Sequence, residues 1–285
     1  MNVEGDRTGD LAGRRCLITG GNRGIGLATA IEFAKAGGLV TLVCRDPGRA
    51  EAAVAEVRRA AGAESADHLI ADLSSQKSIR LLADRVYERQ PRLDVLVNNA
   101  AIVSPDRQIT ADGRELVFAV NHLAYFLLSR LLLDHLLASD DGVVINVATA
   151  NHRDATENLE DLDAAEGYDM RAAYDRSKLA NVSFTLELAR RLAGTSVRVN
   201  GFCPGPVATQ LLMEYRRVPS DLWKERLAGE DPPSTAARTA LLLATTPGTG
   251  RYLEDGVDVD PSPAAADRDL AARLWDRCSA LTGLK

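Results

Sequence analysis

"TGGNRGIG", residues 19–26, carries the most specific structural signal in the chain. Ahead of it stands "RCLIT" (15–19), a short apolar run suited to a buried strand. Behind it stands "GLATAIEFAKAG" (26–37), whose apolar residues recur at helical spacing. Gly20, Gly24 and Gly26 are spaced G-x-x-x-G-x-G. Positions without a side chain let the backbone turn tightly and approach a pyrophosphate at a helix N-terminus. A glycine pattern alone is weak evidence, and an ordinary glycine turn is the competing explanation. The strand–loop–helix setting makes the signal far more specific. The loop therefore predicts a dinucleotide site formed by Gly20, Asn22, Arg23, Gly24, Ile25 and Gly26.

The same alternation continues along the chain. "LVTLVC" (39–44), "DHLIA" (67–71), "LDVLVNNA" (93–100), "GVVINVAT" (142–149) and "SVRVNGF" (196–202) are strand-like. Helical patterns lie between them, the longest being "GRELVFAVNHLAYFLLSRLLLDHLLAS" (113–139) and "YDRSKLANVSFTLELARRLAG" (174–194). Strands this apolar are buried on both faces. Strand–helix alternation predicts an α/β fold with a doubly wound parallel sheet. No linker or repeat interrupts it, so residues 13–285 read as one domain behind a flexible tail, 1–12. Two stretches break the rhythm, 150–172 and 206–234. Each follows the C-terminal end of a strand, the edge where open α/β sheets bind ligands. Long connections there predict pocket walls or a lid. Leu211, Leu212, Met213, Tyr215 and Trp223 suggest an apolar lid, with plain packing on the domain as the alternative.

The bulk numbers exclude several classes. The 285 residues are 46% hydrophobic and 26% charged, ordinary for a soluble globule. A net charge of −6 and a pI near 5.4 argue against a nucleic-acid surface. The polar start "MNVEGDRTGDLA" does not read as a signal peptide, and no apolar run is long enough to span a bilayer. These features predict a cytoplasmic protein without membrane partners. Cys16, Cys44, Cys203 and Cys278 form no C-x-x-C pair; they read as small core residues in a reducing compartment, and no metal site is expected.

The end of the second strand sets cofactor choice. An acid there binds the ribose 2′-hydroxyl of NAD. The sequence is "CRD" (44–46), which places Arg45 at that position with Arg23 in the nearby loop. Two guanidiniums can clamp a 2′-phosphate, which favours NADP(H). A register shift of one would put Asp46 there instead. Asp72 and Leu73 follow the third strand, where a side chain can reach the adenine; the alternative for Asp72 is a helix cap, which Ser74 or Ser75 would serve better. Asn99 and Ala100, in "NNA" (98–100), end the fourth strand, where Asn side chains can tie adjacent strands, hold the cofactor backbone or simply make a turn.

"YDRSK" (174–178) sets Tyr174 and Lys178 on one helical face. A phenol is a poor acid–base group at neutral pH, and a nearby ammonium lowers its pKa. Taken together, the glycine loop, Asp72, Asn98–Asn99–Ala100, Asn121, Tyr174/Lys178 and "PGPVAT" (204–209) resemble the short-chain dehydrogenase/reductase superfamily from about residue 13 to 256. The stretches "TADGRELVFAVNHLAYFLLSRLLL" and "YDRSKLANVSFTLELARRL" are similar to its retinol-dehydrogenase-like branch, whose membrane anchors have no counterpart here.

The resemblance implies a Rossmann-type sheet of strand order 3-2-1-4-5-6-7, with a catalytic hydroxyl, tyrosine, lysine and asparagine. Members of the family usually end strand five with two serines, the second catalytic. Here those positions hold Ala148 and Thr149. Threonine keeps the hydroxyl but adds a methyl group and stiffens χ1. Further implied roles are a water held by Asn121 in a relay through Lys178, ribose contacts by Lys178, and cofactor contacts by Pro204, Gly205, Val207 and Thr209. A homo-oligomer through helices at 114–138 and 174–193 follows by analogy alone. The function expected is NADP(H)-dependent interconversion of a carbonyl and an alcohol on a small, apolar molecule. The rivals are an NADP-binding regulatory protein with a silent site and an enzyme of dehydration or cyclisation.

Overall fold

The computed structural model describes residues 10–155, 161–165 and 167–284. Its strands are β1 (Arg15–Thr19), β2 (Leu39–Cys44), β3 (Ala66–Ile70), β4 (Val95–Asn98), β5 (Gly142–Val147), β6 (Val197–Cys203), β7 (Tyr252–Glu254) and β8 (Val257–Asp258). The helices are α1 (Gly24–Lys35), α2 (Pro47–Ala61), α3 (Gln76–Arg89), α4 (Leu116–Phe118), α5 (Ala124–Leu131), α6 (Leu133–Leu137), α7 (Met170–Arg191), α8 (Gln210–Tyr215), α9 (Trp223–Leu227), α10 (Pro233–Thr245), α11 (Pro263–Ala266) and α12 (Arg268–Thr282). The sheet runs β3-β2-β1-β4-β5-β6-β7-β8. Every neighbouring pair is parallel except β7 with β8. The expected order is present. The two-residue β8 is an addition too short to leave a periodic trace in the sequence.

Alternation along each strand feeds two apolar layers. Cys16 and Ile18 of β1, Val95 and Val97 of β4, and Val143 and Ile145 of β5 enter the layer shared with α1, α2 and α10. Leu17, Leu96 and Val144 point the other way, into the layer shared with α3, α5 and α7. Each of these side chains is almost wholly withdrawn from water, worth roughly 1.5–3 kcal/mol apiece. Leu11, within the tail expected over 1–12, is buried, and its N–H donates to Ala36 O at 2.8 Å. Residues 1–9 lie outside the described residues.

The long helix expected over 113–139 is broken. A π-helical turn, Ala119–Leu123, separates α4 from α5, and Leu132 separates α5 from α6. In the π turn the ladder slips by one residue, so Ala124 N–H donates to Ala119 O. Asn121 sits in the slip. Its side chain accepts from Ile102 N (2.8 Å) and donates to Ile102 O (2.9 Å), and its own carbonyl accepts from Asn181 Nδ2 (2.8 Å). The C-terminal helix α12 covers the outer side of α5 and α7. Trp275 meets Phe126 edge-on (5.1 Å between ring centroids), with the Arg191 guanidinium 4.1 Å from its ring. No helix among the described residues is long and apolar enough to cross a membrane.

Candidate active site

A cavity of about 530 Å³ opens at the C-terminal ends of β1, β2 and β4. Gly20, Asn22, Arg23, Gly24, Ile25, Arg45, Asp72, Leu73, Asn99, Ala100, Tyr174, Lys178, Pro204 and Thr209 all line it. Gly26 does not. It packs beneath the loop, where an added Cβ would stand 2.3 Å from Gly20 O. At Gly20, with φ +65°, a Cβ would come within 2.9 Å of Ala100 Cα. The loop therefore lies directly on the chain leaving β4. Asn99 fastens that contact: its Nδ2 donates to Thr19 O at 2.8 Å, and its N–H donates to Thr19 Oγ1 at 2.9 Å. This cradle at the start of α1 fits a dinucleotide pyrophosphate, which needs close backbone approach at a helix N-terminus. Gly26→Ala should cost about 1–3 kcal/mol of stability, as overpacking against backbone does. Urea unfolding checks it; an unchanged midpoint would show that the loop yields freely.

Arg45 and Asp46 both line the cavity. Asp46 is the N-cap of α2, and its Oδ1 accepts from Arg49 N at 2.9 Å. Arg45 is exposed on the cavity rim, and Arg49, which the sequence reading missed, lines the cavity as well. The Arg23 guanidinium reaches across to Gln210 Oε1 of α8. Asp72 also lines the cavity, but its Oδ1 is engaged locally by Ser74 N (2.9 Å) and Ser74 Oγ (2.7 Å). Ser75 caps α3.

Helix α7 starts one turn earlier than the motif suggested, with Asp169 capping it. A buried polar chain fixes it against the sheet. Asn98 Nδ2 donates to Asn146 Oδ1 and to Ser129 Oγ, both at 2.9 Å. Asn146 Nδ2 donates to Thr185 Oγ1 (2.9 Å), and Thr185 Oγ1 donates to Asn181 O (2.7 Å). The neighbouring His122 Nδ1 donates to Asn181 Oδ1 at 2.9 Å, because Asn181 Nδ2 is already committed to Asn121 O. Burial holds His122 down to about 4, so it stays neutral. Asn98 Oδ1 is left without a partner; the bonds that are made tie α7 to β4 and β5 in one packing.

Lys178 is buried by this arrangement, and its Nζ donates to Val147 O at 2.9 Å. Burial pulls its pKa down to about 7. Tyr174 departs from the expectation based on spacing. Burial raises the phenol above its ordinary value, and Asp175, Cys203 and Tyr215 push the same way. Helical spacing brings a lysine near a tyrosine but does not say how dry the pair will be, and desolvation wins. Asn121 lines neither cavity; besides its bonds to Ile102, its side chain donates to Ser177 Oγ at 3.1 Å.

A second cavity of about 310 Å³ adjoins the first, sharing Ile25, Ala148, Tyr174, Pro204, Thr209 and Leu211. Thr149, Gly205 and Val207 border this second space only. The Cys203 thiol is raised by burial, while hydrogen bonds from Gly205 N, Ala150 N and the Thr149 hydroxyl work against that shift. Thr209 caps α8, accepting from Leu212 N at 3.2 Å.

Both irregular segments reach this cavity. Ala150 and Asn151 come from the first, whose residues 156–160 and 166 lie outside the described residues. Leu211, Leu212, Tyr215 and Arg216 come from the second. Met213 is buried, Trp223 Nε1 donates to Val218 O (2.8 Å), and neither lines the cavity. Tyr215 is less apolar than its neighbours suggested. Its hydroxyl accepts from Asn151 Nδ2 (2.7 Å) and donates to Asp175 Oδ1 (3.1 Å), and its ring lies 5.1 Å from that of Tyr174. Burial raises Asp175 to about 6. No group of three or more residues able to hold a metal occurs among the described residues.

The profile of the family described as short chain dehydrogenase matches residues 14–219. Mouse retinol dehydrogenase 14 is 37% identical, over 98% of this chain and 89% of the relative. A crystal structure of an uncharacterized protein from Mycobacterium paratuberculosis superposes with a TM-score of 0.80 at 32% identity, covering 97% of this chain and 96% of that one. The Pseudomonas aeruginosa RhlG/NADP active-site complex superposes with a TM-score of 0.71 at 28% identity, over 88% and 98%. With the sheet, the glycine cradle and the Tyr174/Lys178 face in place, this chain belongs to the short-chain dehydrogenase family, in its retinol-dehydrogenase-like branch.

Proposed function

We propose that this oxidoreductase of alcohols and carbonyls uses NADP(H) and acts on a small apolar molecule. The observation that carries the cofactor choice is the rim of the larger cavity. Arg45 and Arg49 stand there with Arg23; of the two acids that share the lining, Asp46 caps α2 and Asp72 is bonded to Ser74. Guanidiniums suit a 2′-phosphate through charge-assisted, paired hydrogen bonds. The NADP complex of the Pseudomonas relative is consistent with this reading. Gly20, Asn22, Gly24 and Ile25 would hold the pyrophosphate, Asp72, Leu73, Asn99 and Ala100 the adenosine side, and Lys178, Pro204 and Thr209 the nicotinamide side. When bound, the nicotinamide supplies or accepts the hydride.

This chain's residues then handle the proton and the carbonyl. Tyr174 borders both cavities and carries its proton at neutral pH, so it donates to the oxygen formed on carbonyl reduction. Thr149 stands on the wall of the second cavity and polarises the carbonyl. Lys178 tunes Tyr174 through its own charge, and Asn121 anchors the relay behind it. Leu211, Leu212, Val207 and Ile25 make the second cavity apolar enough for a hydrocarbon substrate. The name of the mouse relative points to such an alcohol, retinol.

We assign both functions to one unit, residues 13–285, and place it in the cytoplasm, with the four cysteines free and buried as a reducing compartment permits. Any homo-oligomer through α5 and α7 has to form with α12 lying over them. The test of the cofactor choice is titration. NADPH should bind more tightly than NADH, and Arg45→Asp should narrow the gap by roughly tenfold or more, the size of a lost charge-assisted bond. Superimposable NADPH and NADH curves for the unaltered protein would end the NADP reading.

A further inference from the structure

We propose that His152 is a positioning residue for Thr149, linking the C-terminal segment to the catalytic hydroxyl. This rests on Thr149 acting on the substrate carbonyl. His152 lies in the 3₁₀ turn Ala150–Arg153, which Thr149 caps with its side chain, and the imidazole is buried. Its two ring nitrogens have fixed roles. Nδ1 lies 2.7 Å from Thr149 O, which can only accept, so Nδ1 carries the proton. Nε2 lies 3.0 Å from Ser262 N, which can only donate, so Nε2 is bare. One neutral tautomer satisfies both, and a charged imidazole would set N–H against N–H.

The consequence falls on one peptide plane. The carbonyl of Thr149 is held by the His152 ring and by His152 N (3.3 Å). The N–H on the other side of that plane, at Ala150, donates to Cys203 Sγ at 3.2 Å. A peptide pinned at both its oxygen and its nitrogen cannot rotate, and it fixes the direction in which the Thr149 side chain leaves the backbone. The edge of the Tyr252 ring closes over the imidazole (5.2 Å, 79°), and Arg153 next door pairs with Glu254 and reaches Asp260 O. The stretch ahead of α11 is thereby tied to the turn that carries Thr149. Neither the glycine loop nor the Tyr174/Lys178 pair has any part in this contact.

Two amide replacements separate the two bonds. Asparagine places an N–H where Nδ1 stands and loses the acceptor for Ser262. Glutamine places its amide where Nε2 stands and loses the donor to Thr149 O. Single-turnover hydride transfer from NADPH to benzaldehyde is expected to fall roughly tenfold or more in His152→Gln, as small misplacements of a reacting group do. His152→Asn should recover most of that loss, with NADPH binding close to unaltered in both. Hydrogen exchange at the amides of 150–152 should quicken in His152→Gln and stay slow in His152→Asn. Two results would overturn the proposal: Gln and Asn falling together, or Gln transferring hydride at the unaltered rate. If the unaltered protein leaves benzaldehyde untouched, the carbonyl-reduction reading has failed for this probe. The exchange comparison then decides alone, and equal exchange in the two variants refutes the positioning role.

Discussion

Tyr174→Phe should slow single-turnover hydride transfer by ~10²–10⁴ while leaving NADPH binding nearly intact, the range expected when positioned acid–base help is removed. The phenol borders both cavities, so it can meet a reacting oxygen beside a bound nicotinamide. Its proton is held tightly, because burial disfavours the phenolate and Asp175, Cys203 and Tyr215 add to that. The sign follows for both directions of the reaction. Carbonyl reduction needs the protonated phenol, so its rate should stay level through neutral pH and fall only in alkali. Alcohol oxidation needs the phenolate, so its rate should climb as pH rises toward the raised value. Lys178, lowered to about 7, loses its charge within that climb and blunts it. Stopped-flow absorbance of NADPH, followed against pH in each direction, measures this. A Phe variant with undiminished transfer would remove Tyr174 from the chemistry, and an oxidation rate that fell with rising pH would reverse the assignment of its proton.

Thr149→Val comes next in size. It keeps the branched shape and removes only the hydroxyl, giving up the cap on Asn151 N (3.4 Å), a loss of about 0.5–2 kcal/mol in stability. Hydride transfer should slow by ~10²–10³, as when one donor to a developing oxyanion is lost. Thr149 borders the second cavity alone, so cofactor titration should be unaffected. Thr149→Ser should retain the rate or raise it, because the methyl group is relieved. Equal transfer rates for Val and Thr would leave Thr149 as no more than a turn cap.

The sheet was legible because its information is local. Period-two apolar runs such as "RCLIT" and "GVVINVAT" identify themselves residue by residue. The break at Ala119–Leu123 was not, because "LVFAVNHLAYFLL" is apolar on every side and a slip of one residue leaves no mark in such a pattern. The site divides the same way. Glycines 20 and 24, Tyr174 and Lys178 announce themselves by spacing within one element. Arg45 and Asp46 could not be ordered until the start of α2 showed which one caps it. Asn151, Asp175 and Tyr215 meet only in three dimensions, from three segments, so neither their hydroxyl clamp nor the role of His152 could be read along the chain. The direction of the Tyr174 shift failed for a related reason: it depends on how much water the assembled fold removes, a quantity no spacing contains.

The π-helical turn also limits which lengths of chain natural variation can explore. One residue advances a helix by about 100°. Removing any one of residues 119–123 would leave a shorter, regular helix and look harmless in an alignment. It would also swing Tyr125, Phe126 and Ser129 around the axis, parting Ser129 from Asn98 and Phe126 from Trp275. Descendants of this chain are therefore free to gain or lose residues in surface connections, but should keep this stretch at constant length even where its letters drift.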